Sequence, residues 1–250
     1  MSWAERFQGK DSALCVGLDP LPERFPAGHT LRDFLGMVVE ATADCAACYK
    51  LNTAFFERLG VEGLAELAYA VRSIRERGIP VIVDAKRGDI ASTAEAYADA
   101  YFGGPFDADA LTVNPSVGLD AIEPFRAAAR ARDRGVFLLL RTSNPGAALF
   151  QEPAEPTLVE AIRAEPSYGA VVGATVDPAT VTRLRAALPG TLFLAPGFGA
   201  QGGAALGHFF TGGRGALVNS SRAVIYAGDK DSVRAAARAA HEKIERARKG

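Results

Sequence analysis

The sequence predicts a single-domain α/β protein of the (β/α)8 or TIM barrel class, spanning residues 1–250, and three observations carry that expectation. Eight short apolar, β-branched runs punctuate the chain. Alanine-rich amphipathic patterns with helical spacing fall between them, and 250 residues is the size at which eight such units close into a barrel. A doubly wound sheet would need fewer strands or a second domain, and no stretch has the composition of an interdomain linker.

The strand runs cover residues 13–19, 48–52, 80–84, 110–114, 136–141, 169–175, 191–195 and 215–219. The third run, Val81, Ile82 and Val83 behind Pro80, is continuously apolar with its proline only near the start, as expected of a strand buried on both faces. Helical patterns are clearest at 31–43, 61–77, 119–132, 178–188 and 231–248. Two connections are longer than a β/α unit needs. Residues 20–30 follow the first strand, and 142–156, with Pro145, Pro153 and Pro156, follow the fifth. Both are expected as loops on the C-terminal face, placed to close over a ligand. Charges of both signs over 242–249 read as a solvated helix face.

Composition narrows the function. With 48% hydrophobic and 23% charged residues, a formal net charge of -1 and a pI near 6.3, the chain has no electrostatic footprint for nucleic acid or an anionic membrane. A small-molecule partner is the expectation. The N-terminal segment lacks the apolar core of a signal peptide, and no apolar run approaches a bilayer span, so a cytoplasmic location is expected. Cys45 and Cys48 have the spacing of half a zinc or redox motif, but Cys15 is the only other cysteine, and His29, His208 and His241 are scattered. Buried structural cysteines and no metal site follow.

Chemistry concentrates at the exit of the third strand. Asp84 and Lys86, two residues apart, project to one face, and Asp89 lies just beyond a turn permitted by Gly88. A lone Asp-x-Lys is commonly a surface ion pair of little consequence. The barrel alters that reading by gathering strand ends at one mouth: Asp19 from the first run, Lys50 from the second, Asn114 from the fourth, and Arg141 leading to Ser143 from the fifth. Such a set costs several kcal/mol of desolvation unless paired, so it points to a reaction that needs it.

The last two strands suggest a phosphate site. Gly197, Gly199, Gln201, Gly202 and Gly203 precede a helix and offer backbone N–H groups. Asn219, Ser221 and Arg222 follow the eighth strand, where barrels commonly bind phosphate. Gly197-x-Gly199-x-x-Gly202 also matches a dinucleotide fingerprint, but the acidic residue expected about 20 positions on is missing and only one β/α unit remains. The tripeptide Arg87-Gly88-Asp89 is read as coincidence.

These residues resemble the orotidine 5'-phosphate decarboxylase family, in particular its bacterial subgroup with Asp-Ala-Lys-Arg-Gly-Asp-Ile. The likeness runs in order along nearly the whole chain: Gly17-Leu18-Asp19-Pro20, Lys50-Leu51-Asn52 with Phe55-Phe56-Glu57, Asp84 to Thr93, Thr112-Val113-Asn114-Pro115, Ser143-Asn144-Pro145, the glycine loop to Gly202, and Ser220-Ser221-Arg222. Ser116 departs from it, since many relatives carry an aromatic there. The resemblance implies conversion of orotidine 5'-phosphate to UMP and CO2, in pyrimidine biosynthesis, without metal or organic cofactor. It implies Lys86, Asp84, Lys50 and Asp89 as catalytic residues, and Asp19, Thr93, Asn114, Ser143, Gln201, Gly202, Ser221 and Arg222 as substrate ligands. It also implies a homodimer in which Asp89 and Thr93 reach the partner subunit's substrate. Two alternatives stand beside it. A Mg2+-dependent sugar-phosphate decarboxylase or aldolase of the same barrel type would want an acidic ligand near the second strand, where this chain has Lys50. A non-catalytic nucleotide-binding barrel would have no need of the full charged set.

Overall fold

Alternation within the apolar runs sorts their side chains onto two sides of a closed sheet. The structure is a computed structural model, and it describes residues 2–198, 206–212 and 215–250. Its parallel strands close in sequence order: β1 (Leu14–Leu18), β2 (Cys48–Asn52), β3 (Val81–Arg87), β4 (Ala110–Val113), β5 (Gly135–Arg141), β6 (Tyr168–Val172), β7 (Phe193–Ala195) and β8 (Ala216–Ser220), with β8 pairing back to β1. The helices among the described residues are α1 (Trp3–Phe7), α2 (Leu31–Thr42), α3 (Thr53–Glu57), α4 (Gly60–Glu76), α5 (Ala91–Tyr101), α6 (Glu123–Ala131), α7 (Ala147–Ala164), α8 (Pro178–Ala187), α9 (Arg222–Ile225) and α10 (Lys230–Lys249).

One set of strand residues, including Val16, Leu51, Val83, Leu111 and Leu138, packs outward against helix residues such as Phe34, Leu67, Phe125 and Ile244. The alternate set, Cys15, Cys48, Ile82, Ala110, Phe137, Val171, Leu194 and Leu217, fills the barrel interior. Two residues further along, the inward positions of four strands are Gly17, Lys50, Asp84 and Thr112, so the interior is apolar below and polar at its C-terminal mouth. The cysteine reading holds. Cys15, Cys45 and Cys48 are free and buried, and burial pushes the Cys45 thiol up to about 11 and that of Cys48 well above its ordinary value.

The sequence reading placed no element before the first strand, yet α1 closes the opposite end of the barrel. Ser2 and Glu5 form a reciprocal capping box, which stabilises a helix too short to persist alone. Trp3 and Phe7 are then carried inward, and each meets Phe137 edge-on, at ring-centroid distances of 5.5 and 6.4 Å. The indole N–H of Trp3 donates to the Pro166 carbonyl at 2.9 Å.

Three expectations need correction. Residues 142–156 are not a long loop, because α7 begins at Ala147 and carries Pro153 and Pro156 within it. Both prolines lie on the exposed face, while Glu155, Leu158 and Ile162 are buried, so tertiary packing outweighs a proline penalty of roughly 3 kcal/mol each. Arg141 belongs to this packing rather than to the mouth: its guanidinium pairs with Glu152 at 3.0 Å and Glu155 at 3.1 Å. Strand β3 also runs three residues beyond the expected 80–84, through Lys86 to Arg87.

If α1 is the barrel's plug, Trp3→Ala should lower unfolding free energy by about 3–5 kcal/mol. Urea denaturation followed by far-UV circular dichroism measures this, since Trp3 is the single tryptophan. A loss under about 1 kcal/mol, the level of an average substitution, would mean that the helix merely rests on the surface.

Candidate active site

The polar mouth opens into a cavity of about 820 Å³ whose lining includes Asp19, Lys50, Asp84, Lys86, Ser221 and Arg222. Another cavity, of about 670 Å³, lies outside the barrel against α2 and α4 and touches none of these residues.

Asp84 is the hub. Lys50 Nζ lies 2.8 Å from its Oδ2, Lys86 Nζ lies 2.6 Å from its Oδ1, and Thr112 Oγ1 donates to Oδ1 at 2.9 Å. The side chains of Lys50 and Asp84 are 4% and 7% exposed, whereas that of Lys86 is 44% exposed, so one ammonium is sealed beneath the carboxylate and the other faces the cavity. Burial alone would push the Asp84 carboxyl up, but Lys50 and Lys86 beside it outweigh that and hold it well below the usual carboxylate range. Burial likewise opposes charge on Lys50, and Asp84 with Asp19 outweighs it and raises the ammonium's pKa. Both members of the buried pair are therefore ionised across the neutral range.

The backbone presenting Lys86 is irregular. Val83 pairs with Leu111 and Arg87 with Val113, so β3 takes four steps where β4 takes two, and the excess is a bulge. Lys86 sits at φ 47°, in the left-handed region that a lysine seldom adopts. Its N–H donates to Thr112 Oγ1 at 3.0 Å. The sequence reading placed the conformational freedom at Gly88. The structure places the left-handed residue at Lys86, and Gly88 is required for another reason: a Cβ there would lie 2.7 Å from the Asn114 carbonyl oxygen.

Across the mouth, Ser221 Oγ lies 2.5 Å from Asp19 Oδ2, and Tyr226 donates its hydroxyl to the Asp19 carbonyl at 2.9 Å. This approach needs Gly17, where a Cβ would lie 2.8 Å from Ser221 Cβ. Asp19 Oδ1 is buried with no partner among the described residues, an acceptor left over beside the cavity. Such an atom suits a ligand hydroxyl. Arg222 opens α9 on the same rim, and the Arg24 guanidinium stacks over the Tyr226 ring at 4.2 Å.

The strand-end set predicted from sequence is thus largely brought together: Asp19, Lys50, Asp84, Lys86, Ser221 and Arg222 share one cavity. Asp89, Thr93, Asn114 and Ser143 do not line it in this chain. The Asp89 carboxylate accepts from the Ile90 N–H at 2.8 Å, and the Asn114 side chain accepts from the Ser116 N–H at 3.1 Å. Thr93 is exposed on α5, and Ser143 is exposed beyond β5. Gln201 and Gly202, with Gly199 and Gly203, lie outside the described residues. Sequence reasoning assigned no role to Thr112, Arg24 or Tyr226. Among the described residues no cluster of three or more His, Cys, Asp or Glu side chains has metal-site geometry, and no helix is long and apolar enough to cross a membrane.

Comparison with known proteins places the chain among relatives of one kind. Residues 12–240 match the orotidine 5'-phosphate decarboxylase / HUMPS family. The orotidine 5'-phosphate decarboxylase of Thermomicrobium roseum is 44% identical, covering 100% of this chain and 97% of its own, and that of Azoarcus sp. strain BH72 is 42% identical, covering 94% and 92%. The structure of the OMP decarboxylase of Leishmania donovani superposes with a TM-score of 0.83 at 36% identity, covering 100% of both chains.

The buried pair predicts a specific pH signature. Asp84→Asn should cost about 3–5 kcal/mol of stability at pH 7, because Lys50 is left charged and unpaired. Asp84 has a depressed folded-state pKa, so its contribution is complete above the unfolded value of about 4 and fades as pH falls through the lower folded value. The gap between wild type and variant, measured by urea unfolding, should therefore be flat from pH 7 to about 4 and narrow below it. A gap independent of pH down to about 2.5 would contradict the charge assignment.

Proposed function

The chain belongs to the orotidine 5'-phosphate decarboxylase / HUMPS family, its activity is the decarboxylation of orotidine 5'-phosphate to UMP in pyrimidine biosynthesis, and we propose that the Lys50–Asp84–Lys86 array carries the reaction. One observation bears most of the weight: an ammonium facing the cavity while its own carboxylate partner is pinned from beneath by a second lysine.

Breaking the C6–carboxylate bond leaves an electron pair in the plane of the pyrimidine, where the ring's π system cannot receive it. Electrostatic stabilisation has to do the work, and a fixed cation in a partly desolvated mouth supplies it without reorganisation. Lys86 is that cation. As CO2 leaves, the pair on C6 takes a proton from the Lys86 ammonium; an N–H bond breaks, a C–H bond forms, and the neutral amine regains its proton from solvent. Asp84, held ionised, faces the substrate carboxylate, and their repulsion is relieved as CO2 departs. Lys50 fixes Asp84 and keeps it charged.

The remaining ligands follow from position and chemistry. Asp19 Oδ1, without a partner among the described residues, accepts a ribose hydroxyl. Arg222 and the Ser221 segment take the phosphate together with Gln201 and Gly202, whose binding energy helps to order the charged cluster. Ser143 and Asn114 contact the base once the loops after β5 and β4 close on it. The reaction as read here needs no metal or organic cofactor, because both Asp84 oxygens are already taken by ammonium groups and Lys50 stands where the Mg2+-dependent sugar-phosphate branch would want a further carboxylate. Residues 1–250 act as one domain, in the cytoplasm, as a homodimer. Asp89 and Thr93 serve the partner's site. In support, neither lines the cavity of its own chain, and the β3 and β4 connections beside them expose the apolar side chains of Ile90, Val117 and Leu119.

Purified protein should deplete orotidine 5'-phosphate absorbance and form UMP in the presence of EDTA. Lys86→Ala should abolish turnover while UMP still binds. An EDTA-sensitive activity on sugar phosphates, with the orotidine signal unchanged, would sink this reading. Lys86→Ala and Asp89→Ala chains, each inactive alone, should recover partial activity when mixed, through one intact composite site; no recovery despite demonstrated subunit exchange would remove the shared-site proposal.

A further inference from the structure

Lys86 is strained, and something must hold it. A lysine at φ 47° relaxes to an ordinary extended or helical conformation unless its neighbours prevent it, and such relaxation would swing Nζ away from Asp84. On one side β4 provides the restraint: Thr112 Oγ1 accepts from the Lys86 N–H at 3.0 Å, and the Asn114 N–H donates to the Arg87 carbonyl at 2.8 Å. Neither contact reaches the carbonyl of Ala85, which begins the strained turn.

The side chain of Arg87 reaches it. Its Nη1 donates back to the Ala85 carbonyl at 3.3 Å, so the arginine folds across the lysine it follows. Its Nη2 forms an ion pair with Glu57, and its guanidinium lies 5.3 Å from the Tyr97 ring centroid and 5.8 Å from that of Tyr101. Those contacts tie it to α3 and α5. Its Nε is buried with no partner among the described residues, so a desolvation cost is retained where a surface arginine would simply be hydrated. Glu57 closes α3, the helix that directly follows the strand bearing Lys50.

We propose that Arg87, anchored by Glu57, is a positioning residue that holds the backbone of Lys86 in its left-handed conformation and so aims the Lys86 ammonium at the reacting carbon. Arg87 is not among the residues lining the cavity. It acts through the Ala85–Lys86 peptide and links the segments that carry both lysines. The proposal rests on the decarboxylase reading, because the geometry it protects is that of the proton donor.

A positioning role separates from a structural one in kinetics. Arg87→Met should lower kcat about 10- to 100-fold, the cost expected of a misplacement near 1 Å, while KM and UMP affinity stay within about twofold. Glu57→Gln, which removes the anchor from a partly exposed site with less packing damage, should lower kcat in the same direction by a smaller factor. Arg87→Lys, retaining charge without the planar fork, should recover only part of the loss. The double variant Glu57→Gln/Arg87→Met should be no slower than Arg87→Met alone, since the two act as one unit. Wild-type kcat in Arg87→Met, a parallel loss of kcat and UMP affinity, or full additivity in the double variant would each overturn the proposal. A wild type that fails to turn over orotidine 5'-phosphate would instead reject the reading beneath it.

Discussion

A carboxylate almost without water, shared between two ammonium groups, sets the terms for the rest of this molecule. Asp84 is 6% exposed and Lys50 3%, and against the cost of burial each is kept ionised by its charged neighbours, Asp84 by Lys50 and Lys86, and Lys50 by Asp84 and Asp19. A buried ion pair of this kind is weak evidence of stabilisation, since well-packed apolar residues of similar volume commonly serve as well or better. The barrel could close without it. What an apolar replacement cannot supply is the surplus: two cations on one anion leave a local positive charge, and Lys86 carries it on the side that faces the cavity. The site is thus built to receive negative charge at one point, and the buried lysine beneath prevents that charge from being neutralised by movement of Asp84.

Holding such an array requires its members to come from different, mutually fixed strands. Lys50 stands on β2, Asp84 and Lys86 on β3, and Thr112 on β4, three consecutive staves of a closed sheet. Because all of β2 to β4 is hydrogen-bonded in register up to Val83, the position of the carboxylate is a property of the whole barrel. Above Val83 the register breaks. A regular strand would hold the side chains of residues 84 and 86 at adjacent positions on one face, with both spacing and direction set by the pleat. The bulge and the left-handed Lys86 relax that constraint and bring Nζ to within 2.6 Å of Asp84 while leaving it open to the cavity. Among the described strand residues Lys86 is the one non-glycine in the left-handed region, and it stands at the cavity end of β3, as expected when geometry rather than stability is being maintained.

The same division explains what could be read from the sequence. The strands were legible because each alternates or saturates with apolar residues, and Asp84 with Lys86 was legible because the two are neighbours in the chain. Thr112 was not: its contact with Asp84 depends on the offset between β3 and β4, and nothing in a one-dimensional pattern announces a bulge. Arg141 misled in the opposite sense, being a cation at a strand end that is spent on Glu152 and Glu155. α7 was hidden by Pro153 and Pro156, whose local preference is overridden by the buried face of the same helix. α1 carried a readable signal in Ser2 and Glu5 with Trp3 and Phe7 four apart, but five residues are too few for periodicity to stand out. Asp89, Asn114 and Ser143 sit on connections after the strands and Thr93 in the first turn of α5, where sequence names the residue but not the direction in which it points.

For Asp89 the local geometry narrows that direction. Gly88 packs closely against the Asn114 carbonyl, and the Asp89 carboxylate accepts from the Ile90 N–H. Among the described residues Lys86 has one carboxylate partner, Asp84, and a half-open side. A second carboxylate on that side would complete the alternating charge around the ammonium and offset its net excess until substrate arrives. Within this chain the motif's own second aspartate accepts from the Ile90 N–H and does not line the cavity. The spacing Asp84-x-Lys86-x-x-Asp89 therefore agrees with the shared device proposed above, in which the first two residues serve one site and the third, next to exposed Ile90, serves the partner's.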